Sequence, residues 1–407
     1  MEIARFLNYV TFDTQSDPNS TTCPSTKKQL ALGTYLVDEL HKIGITNAYL
    51  DEFGYVYGFL EANKPTTTTI GFIAHMDTSF DCSGSNVHPQ IIENYDGKDI
   101  LLNKDKQMIL SPNEFDSLKK KKGHTLITTD GSTLLGADDK AGICIIVCAI
   151  EKMITENLDH PNIIITFTPD EEIGEGTSHF NYGYYQERNC HLAYTLDGGD
   201  IKYLSFENFN AASCKLTIHG KSIHPGSAKG KMVNSMLIAS EIIQLFPKAE
   251  VPELTENKEG FFHLSNMNGN VEETTLSYII RNHDFNLFTK QKAFVEKMVA
   301  FVNDKYGKDT VTLEMNDSYY NMREIILKEP VILEYAIKAM KRNGIDPEFE
   351  AIRGGTDGAR LSFEGILTPN LGTGGENFHG PFEYLDVTDM KKMIQVVITL
   401  AHLFIEE

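Results

Sequence analysis

The stretch NIIITFTPDEEIGEG, residues 162–176, constrains the fold of this chain more than any other. It begins as an apolar run and ends in three consecutive carboxylates, Asp170, Glu171 and Glu172. A short apolar run rich in β-branched residues and bounded by a turn signal reads as a strand buried on both faces. TTIGFIAHMD has the same character, and between the two DDKAGICIIVCAIEKMI reads as a helix packed on the sheet. KQLALGTYLVDELHKIG places Leu30, Leu32, Leu36, Leu40 and Ile43 at helical spacing and stops at Gly44. The opening MEIARFLNYV is an amphipathic helix with Ile3, Phe6, Leu7 and Val10 on one face. Apolar strands alternating with helices predict a layered α/β fold with a mostly parallel central sheet.

The middle of the chain changes character. AASCKLTIHGK reads as a strand and KMVNSMLIASEIIQLF as a helix. GFFHLSNMNGNVEETTLSYIIRNHD reads as two strands around the turn NMNGN. LFTKQKAFVEKMVAFVNDKYG is a helix and DTVTLEMND a strand. The order β-α-β-β-α-β is that of a ferredoxin-like unit, so residues 208–320 are expected to form an inserted α+β domain within a main domain made of 1–207 and 321–407. PVILEYAIKAMKRNG and VTDMKKMIQVVITLAHLF resume the helical pattern. The polar segment from Asp81 to Thr129 reads as an excursion from the sheet, with Lys119–Lys122 as a solvated loop face.

A formal charge of −20 over 407 residues makes nucleic acid and anionic membrane surfaces poor partners. The same charge attracts cations. No run is apolar for the length of a membrane span, and the N-terminus lacks the pattern of a signal peptide. Six scattered cysteines without a Cys-x-x-Cys pair are most simply reduced thiols, which points to the cytoplasm.

Polar groups cluster where the apolar runs end: His75 and Asp77 in IAHMDT, Asp138 and Asp139 in LLGADDKAG, Glu171 and Glu172 in PDEEIG, Asp197 in YTLDGG, His379 in NFHG. Ligands of open α/β sheets bind outside the carboxyl ends of the strands. His75 and Asp77 are two apart, a spacing that lets a carboxylate orient an imidazole for a metal. Asp138 opens a helix and can bridge two cations. The adjacent Glu171 and Glu172 diverge in extended geometry, one toward metal and one toward substrate. Mixed His, Asp and Glu donors suit zinc, with manganese or cobalt as substitutes. Taken singly, each motif is also what a solvated loop or a helix cap looks like; the joint pattern carries the argument. Signatures of serine hydrolases, His-Glu-x-x-His metalloenzymes, phosphate-binding loops and dinucleotide-binding folds are not written in the chain.

The motifs DTQS, PST, HMDT, GADDKAG, PDEEIG, YTLDGG, HPGSAKGKMVN, EGFFHL, YIIR, LEMNDSYYNM, RGGTDGARLSFEG and TGGENFHG together resemble the M20 metallopeptidases, most closely their tripeptide aminopeptidase branch. Asn282 in IIRNHD departs from the acidic residue expected there. The resemblance implies two zinc ions per subunit, one held by His75, Asp138 and Asp197, the second by Asp138, Glu172 and His379. It implies that Asp77 orients His75, that Glu171 is the general acid/base, and that His224 helps to hold the oxyanion. Arg281 and Arg353 are implied to grip the peptide carboxylate. The substrates would be short peptides, chiefly tripeptides, and the inserted domain a lid and homodimer contact. A carboxypeptidase, an N-acyl amino acid hydrolase and an inactive metal-binding scaffold are the alternatives on the same framework.

Overall fold

The computed structural model describes residues 2–406. Its largest sheet runs in the order Tyr49–Leu50, Val56–Leu60, Asn162–Thr168, Thr69–His75, Leu192–Leu196, Asn370–Leu371, Tyr203–Asn208 and Glu348–Ile352. Thr69–His75 is central and parallel to both Asn162–Thr168 and Leu192–Leu196. In that register His75 stands opposite Thr168 and Ile73 opposite Thr195. The three strands therefore deliver His75, the acidic turn after Thr168 and Asp197 to one edge of the sheet. All of Thr69–His75 is buried, as two-face coverage of a parallel strand requires.

The helix Ala137–Thr155 packs on this sheet, with Ile143, Cys144, Ile146, Val147 and Ile150 inaccessible to solvent. Its approach is set by Gly142, where a Cβ would lie 1.9 Å from the carbonyl oxygen of Leu196. Asp138 and Asp139 have non-helical backbone angles, so the regular helix begins after the aspartates and not at Asp138 as the sequence suggests. Gln29–Ile43 ends at Gly44, whose φ of 112° closes the helix in a left-handed cap. All six cysteines are free thiols.

The 81–129 excursion folds into Gln90–Ile92 and Leu126–Thr128, which pair in a four-stranded sheet with Tyr384–Asp386 and Gly375–Glu376, and into the hairpin Ile100–Asn103/Met108–Leu110. One expectation for it is corrected. Lys121 is not a solvated member of its lysine run but 5% exposed, with Nζ 2.7 Å from Asp389 and 3.3 Å from Asp386. The reason is long-range: these aspartates sit at the head of the helix Val387–Leu403, where Asp386 caps the N–H groups of Thr388 and Asp389.

The second sheet has the order Phe261–Gly269, Glu273–Asn282, Asn210–His219, Val311–Tyr319, all antiparallel, and packs with the helices Ser235–Leu245 and Phe285–Tyr306 around one core. This is the ferredoxin-like arrangement. Ala212, Cys214, Leu216 and Ile218 alternate into that core while Ser213 and Lys215 face out. The turn is 270–272, so it takes only the last residue of NMNGN: the Asn270 side chain accepts from the N–H groups of Glu272 (2.8 Å) and Glu273 (3.3 Å). The chain divides into two compact units. One holds the chain up to Phe206, Glu324–Glu350 and the residues from Thr356; the other holds Glu207–Arg323 and Ala351–Gly355. The last segment, assigned from sequence to the main domain, clusters with the inserted one.

Candidate metal centre

The acidic turn is tolerable because its three carboxylates part company. Asp170, at φ 58°, turns away and accepts from Ser25 N–H (2.6 Å), the Ser25 hydroxyl and Gln29 Nε2 (2.6 Å). Glu171 and Glu172 follow in a 3₁₀ turn, Glu171–Ile173, in place of the extended geometry expected. Asp77 fixes that turn. Fully buried, it accepts Glu171 N–H at 3.0 Å on one oxygen and Glu172 N–H at 3.2 Å on the other. Its hold on His75 runs mainly through its carbonyl, 3.1 Å from Nδ1, with the carboxylate at 3.4 Å.

His75 is 3% exposed, and its Nε2 lies 2.8 Å from Asp138 Oδ1. On the other side of Asp138, Oδ2 lies 3.4 Å from His379 Nε2, which is also 3.0 Å from Glu172 Oε2. The donor atoms of His75, Asp138 and Glu172 all lie within 4.8 Å of one another, as do those of His75, Asp139 and Asp197. One side of the molecule thus gathers His75, Asp77, Asp138, Glu171, Glu172, Asp197 and His379.

Two further carboxylates support the cluster: Asp139, one of the polar groups marked at the run ends, and Glu383, which no sequence motif singles out. Asp139, 1% exposed, accepts from His75 N–H (3.1 Å) and Gly142 N–H (3.2 Å), tying strand end to helix start. Glu383, also 1% exposed, accepts from Leu135, Gly136 and Asp138 N–H at 2.7, 3.0 and 3.1 Å. For Glu383 the only hint is its place shortly after the motif TGGENFHG.

Burial and mutual crowding dominate the electrostatics of the cluster. Burial works against the charge of Asp138, but hydrogen bonds from His379 and His75 outweigh it and hold its carboxyl below the usual range. Burial and then Asp138 push Glu172 and Asp197 up to about 7. Burial, followed by the carboxylates Asp357, Asp197 and Glu172, lifts Glu171 well above the ordinary range against the opposing pull of His75. His379 is raised to about 11 by its hydrogen bonds to Asp138 and Glu172. Glu172 Oε1 is buried with no hydrogen-bond partner, a costly state that a cation relieves. Oxygen and imidazole donors around an orphaned buried carboxylate oxygen fit divalent zinc, manganese or cobalt.

Along its whole length (100% of this chain, 99% of the other) the sequence is 51% identical over 407 residues to peptidase T of Clostridium acetobutylicum. The chain belongs to the peptidase T family of the M20 metallopeptidases. Residues 206–310 match the peptidase dimerisation domain. Among solved structures, aminopeptidase PepT from Bacillus cereus superposes with a TM-score of 0.77 at 21% identity, covering 99% of this chain and 98% of that one. A tripeptidase from Staphylococcus aureus superposes at 0.78 and 19%, covering 100% and 98%.

In this peptidase T family chain the remaining sequence-derived residues, His224, Arg281 and Arg353, lie in the second unit. His224 Nδ1 accepts Gly226 N–H at 3.1 Å, which leaves the ring proton on Nε2 and makes that atom a donor. Arg281 Nη1 donates to the Arg353 carbonyl at 3.0 Å while its Nε is buried without a partner. Arg353 is engaged within the second unit. Its guanidinium donates to the carbonyls of Asn257 (2.6 Å) and Thr255 (3.3 Å) and lies over the rings of Phe209 and Phe261. These contacts tie it to the 255–259 loop.

Proposed function

We propose that the chain is a metal-dependent aminopeptidase that removes the N-terminal residue of tripeptides. His75, Asp138 and Asp197 would hold one zinc and Asp138, Glu172 and His379 a second, with manganese or cobalt able to replace them. The observation that carries this reading is Asp138, whose two oxygens face two different imidazoles, at 2.8 and 3.4 Å. Ions so held supply Lewis acidity and a water of lowered pKa.

The chain's own residues do the rest. Glu171, held by its backbone to Asp77 and raised above the usual carboxyl range by burial, is suited to take a proton from the attacking water and pass it to the leaving amine. His224 offers Nε2–H to the oxyanion of the tetrahedral intermediate; one such donor typically contributes about 3 kcal/mol. Arg281, with an unpartnered Nε, is the better candidate for the substrate carboxylate. The substrate class is supported by the names of the related proteins. The matched dimerisation domain supports a homodimer, and the free cysteines suit a cytoplasmic setting. No described helix is long and apolar enough to cross a membrane.

Hydrolysis of a free tripeptide, its N-acetylated form, a dipeptide and a tetrapeptide tests the proposal. N-terminal residue release from the free tripeptide alone is expected. Cleavage of the acetylated peptide would make the protein an N-acyl hydrolase, release of the C-terminal residue a carboxypeptidase. No turnover with two zincs bound would make it a scaffold.

A further inference from the structure

Both imidazoles of the cluster face Asp138 through Nε2. The second nitrogen of His75 is held by Asp77. The second nitrogen of His379 also has a carboxylate beside it: Nδ1 lies 3.5 Å from Oδ2 of Asp81, a residue with no role so far. Asp77 and Asp81 lie on the same loop, the one leaving the strand Thr69–His75.

That loop is a built feature. Thr78 N–H donates to the Thr14 carbonyl (3.2 Å), and Ser16 N–H to the Thr78 carbonyl (3.1 Å). Gln15 Nε2 donates to the carbonyls of Ser79 (3.3 Å) and Cys82 (3.1 Å), and Leu134 N–H to that of Ser83 (3.0 Å). Ser79, 2% exposed, donates its hydroxyl to Asp81 Oδ2 and accepts from Asp81 N–H, both at 3.3 Å. The carboxylate is thus aimed from below. His379 needs such a hold more than His75 does. Its side chain is 41% exposed against 3%, and it sits on a left-handed backbone at φ 63°.

A neutral imidazole carries one proton, and the partner of one nitrogen decides what the other can do. The geometry points to Asp81 as the positioning residue of the second cation site: it accepts Nδ1–H of His379, fixing the ring and the tautomer whose Nε2 lone pair is free for a metal. The inference rests on His379 being a ligand. The chain would then carry two orienting aspartates on one loop, one for each histidine. Removing a partner of this kind weakens metal binding by about 10–100-fold; the 59% exposure of Asp81 sets the expectation near tenfold.

The test is zinc affinity, measured on the full chain by competition with a chelator, for wild type, Asp81→Ala, Asp81→Glu, His379→Ala and the Asp81→Ala/His379→Ala double variant. Wild type should bind two zincs. Asp81→Ala should bind the first unchanged, which also reports folding, and the second about tenfold more weakly. Asp81→Glu should recover part of the loss. On the His379→Ala background Asp81→Ala should cost nothing more, because its effect passes through that ring. Unchanged affinity for both zincs in Asp81→Ala overturns the inference alone. So does a raised KM with intact zinc affinity, which would give Asp81 to substrate. Fewer than two zincs in wild type overturns the two-ion reading, and this inference with it.

Discussion

Replacing Asp77 by alanine is the perturbation the structure makes most quantitative. The side chain is inaccessible to solvent and accepts two backbone N–H groups, from Glu171 at 3.0 Å and Glu172 at 3.2 Å. A hydrogen bond to a charged acceptor contributes about 1.5–3 kcal/mol, so the pair amounts to roughly 3–6 kcal/mol. Without metal, deleting one anion from a crowded cluster offsets part of that loss, and about 3 kcal/mol is expected. With zinc bound the offset shrinks and the loss moves toward the upper figure. The turn Glu171–Ile173 also loses its reference point, so the candidate base and a candidate ligand drift together. Turnover should fall by on the order of 100-fold, the range of a misplaced general base. Urea unfolding followed by circular dichroism, with zinc and with chelator, reads the first effect as a shifted midpoint at unchanged slope; steady-state hydrolysis of a tripeptide reads the second. A midpoint shift worth under about 0.5 kcal/mol, typical of an inconsequential surface change, together with normal turnover, would refute the reasoning.

Glu171→Ala should keep its zinc by elemental analysis while losing about 100- to 10,000-fold in kcat; near-normal turnover removes Glu171 from the reaction. Arg281→Ala should raise KM more than it lowers kcat, whereas Arg353→Ala, which strips donors from the 255–259 loop, should lower thermal stability first; the reverse pattern would exchange their roles. His283 predicts an acid limb. It is 8% exposed, neither ring nitrogen has a hydrogen-bond partner, and burial lowers its pKa from 6.5 to about 4. Below about 6.5 the unfolded chain takes up a proton that the folded one refuses, so this contribution is full above 6.5 and lost as pH falls toward 4. His283→Phe, which preserves the ring packed 4.2 Å from Phe209, should therefore lose less thermal stability between pH 7 and pH 5 than wild type; equal losses would contradict the assignment.

What could be read from the sequence was what local pattern controls. Thr69–His75 and Asn162–Thr168 are mostly apolar because both faces are covered, and their polar ends mark the sheet edge on which His75, Glu172 and Asp197 meet. The ferredoxin-like order of the inserted unit follows from its alternating strands and amphipathic helices. Contacts distant in the chain were not legible. Lys121 looks like any member of a lysine run until Asp386 and Asp389 arrive beside it. The bonds from Arg353 to the carbonyls of Thr255 and Asn257 have no local signature either. Glu383 carries no pattern of its own, since its function is to collect backbone N–H groups that only the folded chain presents.

The proposed site would hold two cations, with Asp138 a ligand to both. Zinc bound per chain, measured by elemental analysis on wild type and on His379→Ala after equilibration with the metal alone, tests it most directly. Two ions in the first and one in the second are predicted. Fewer than two in wild type, or the same content in both, would contradict it.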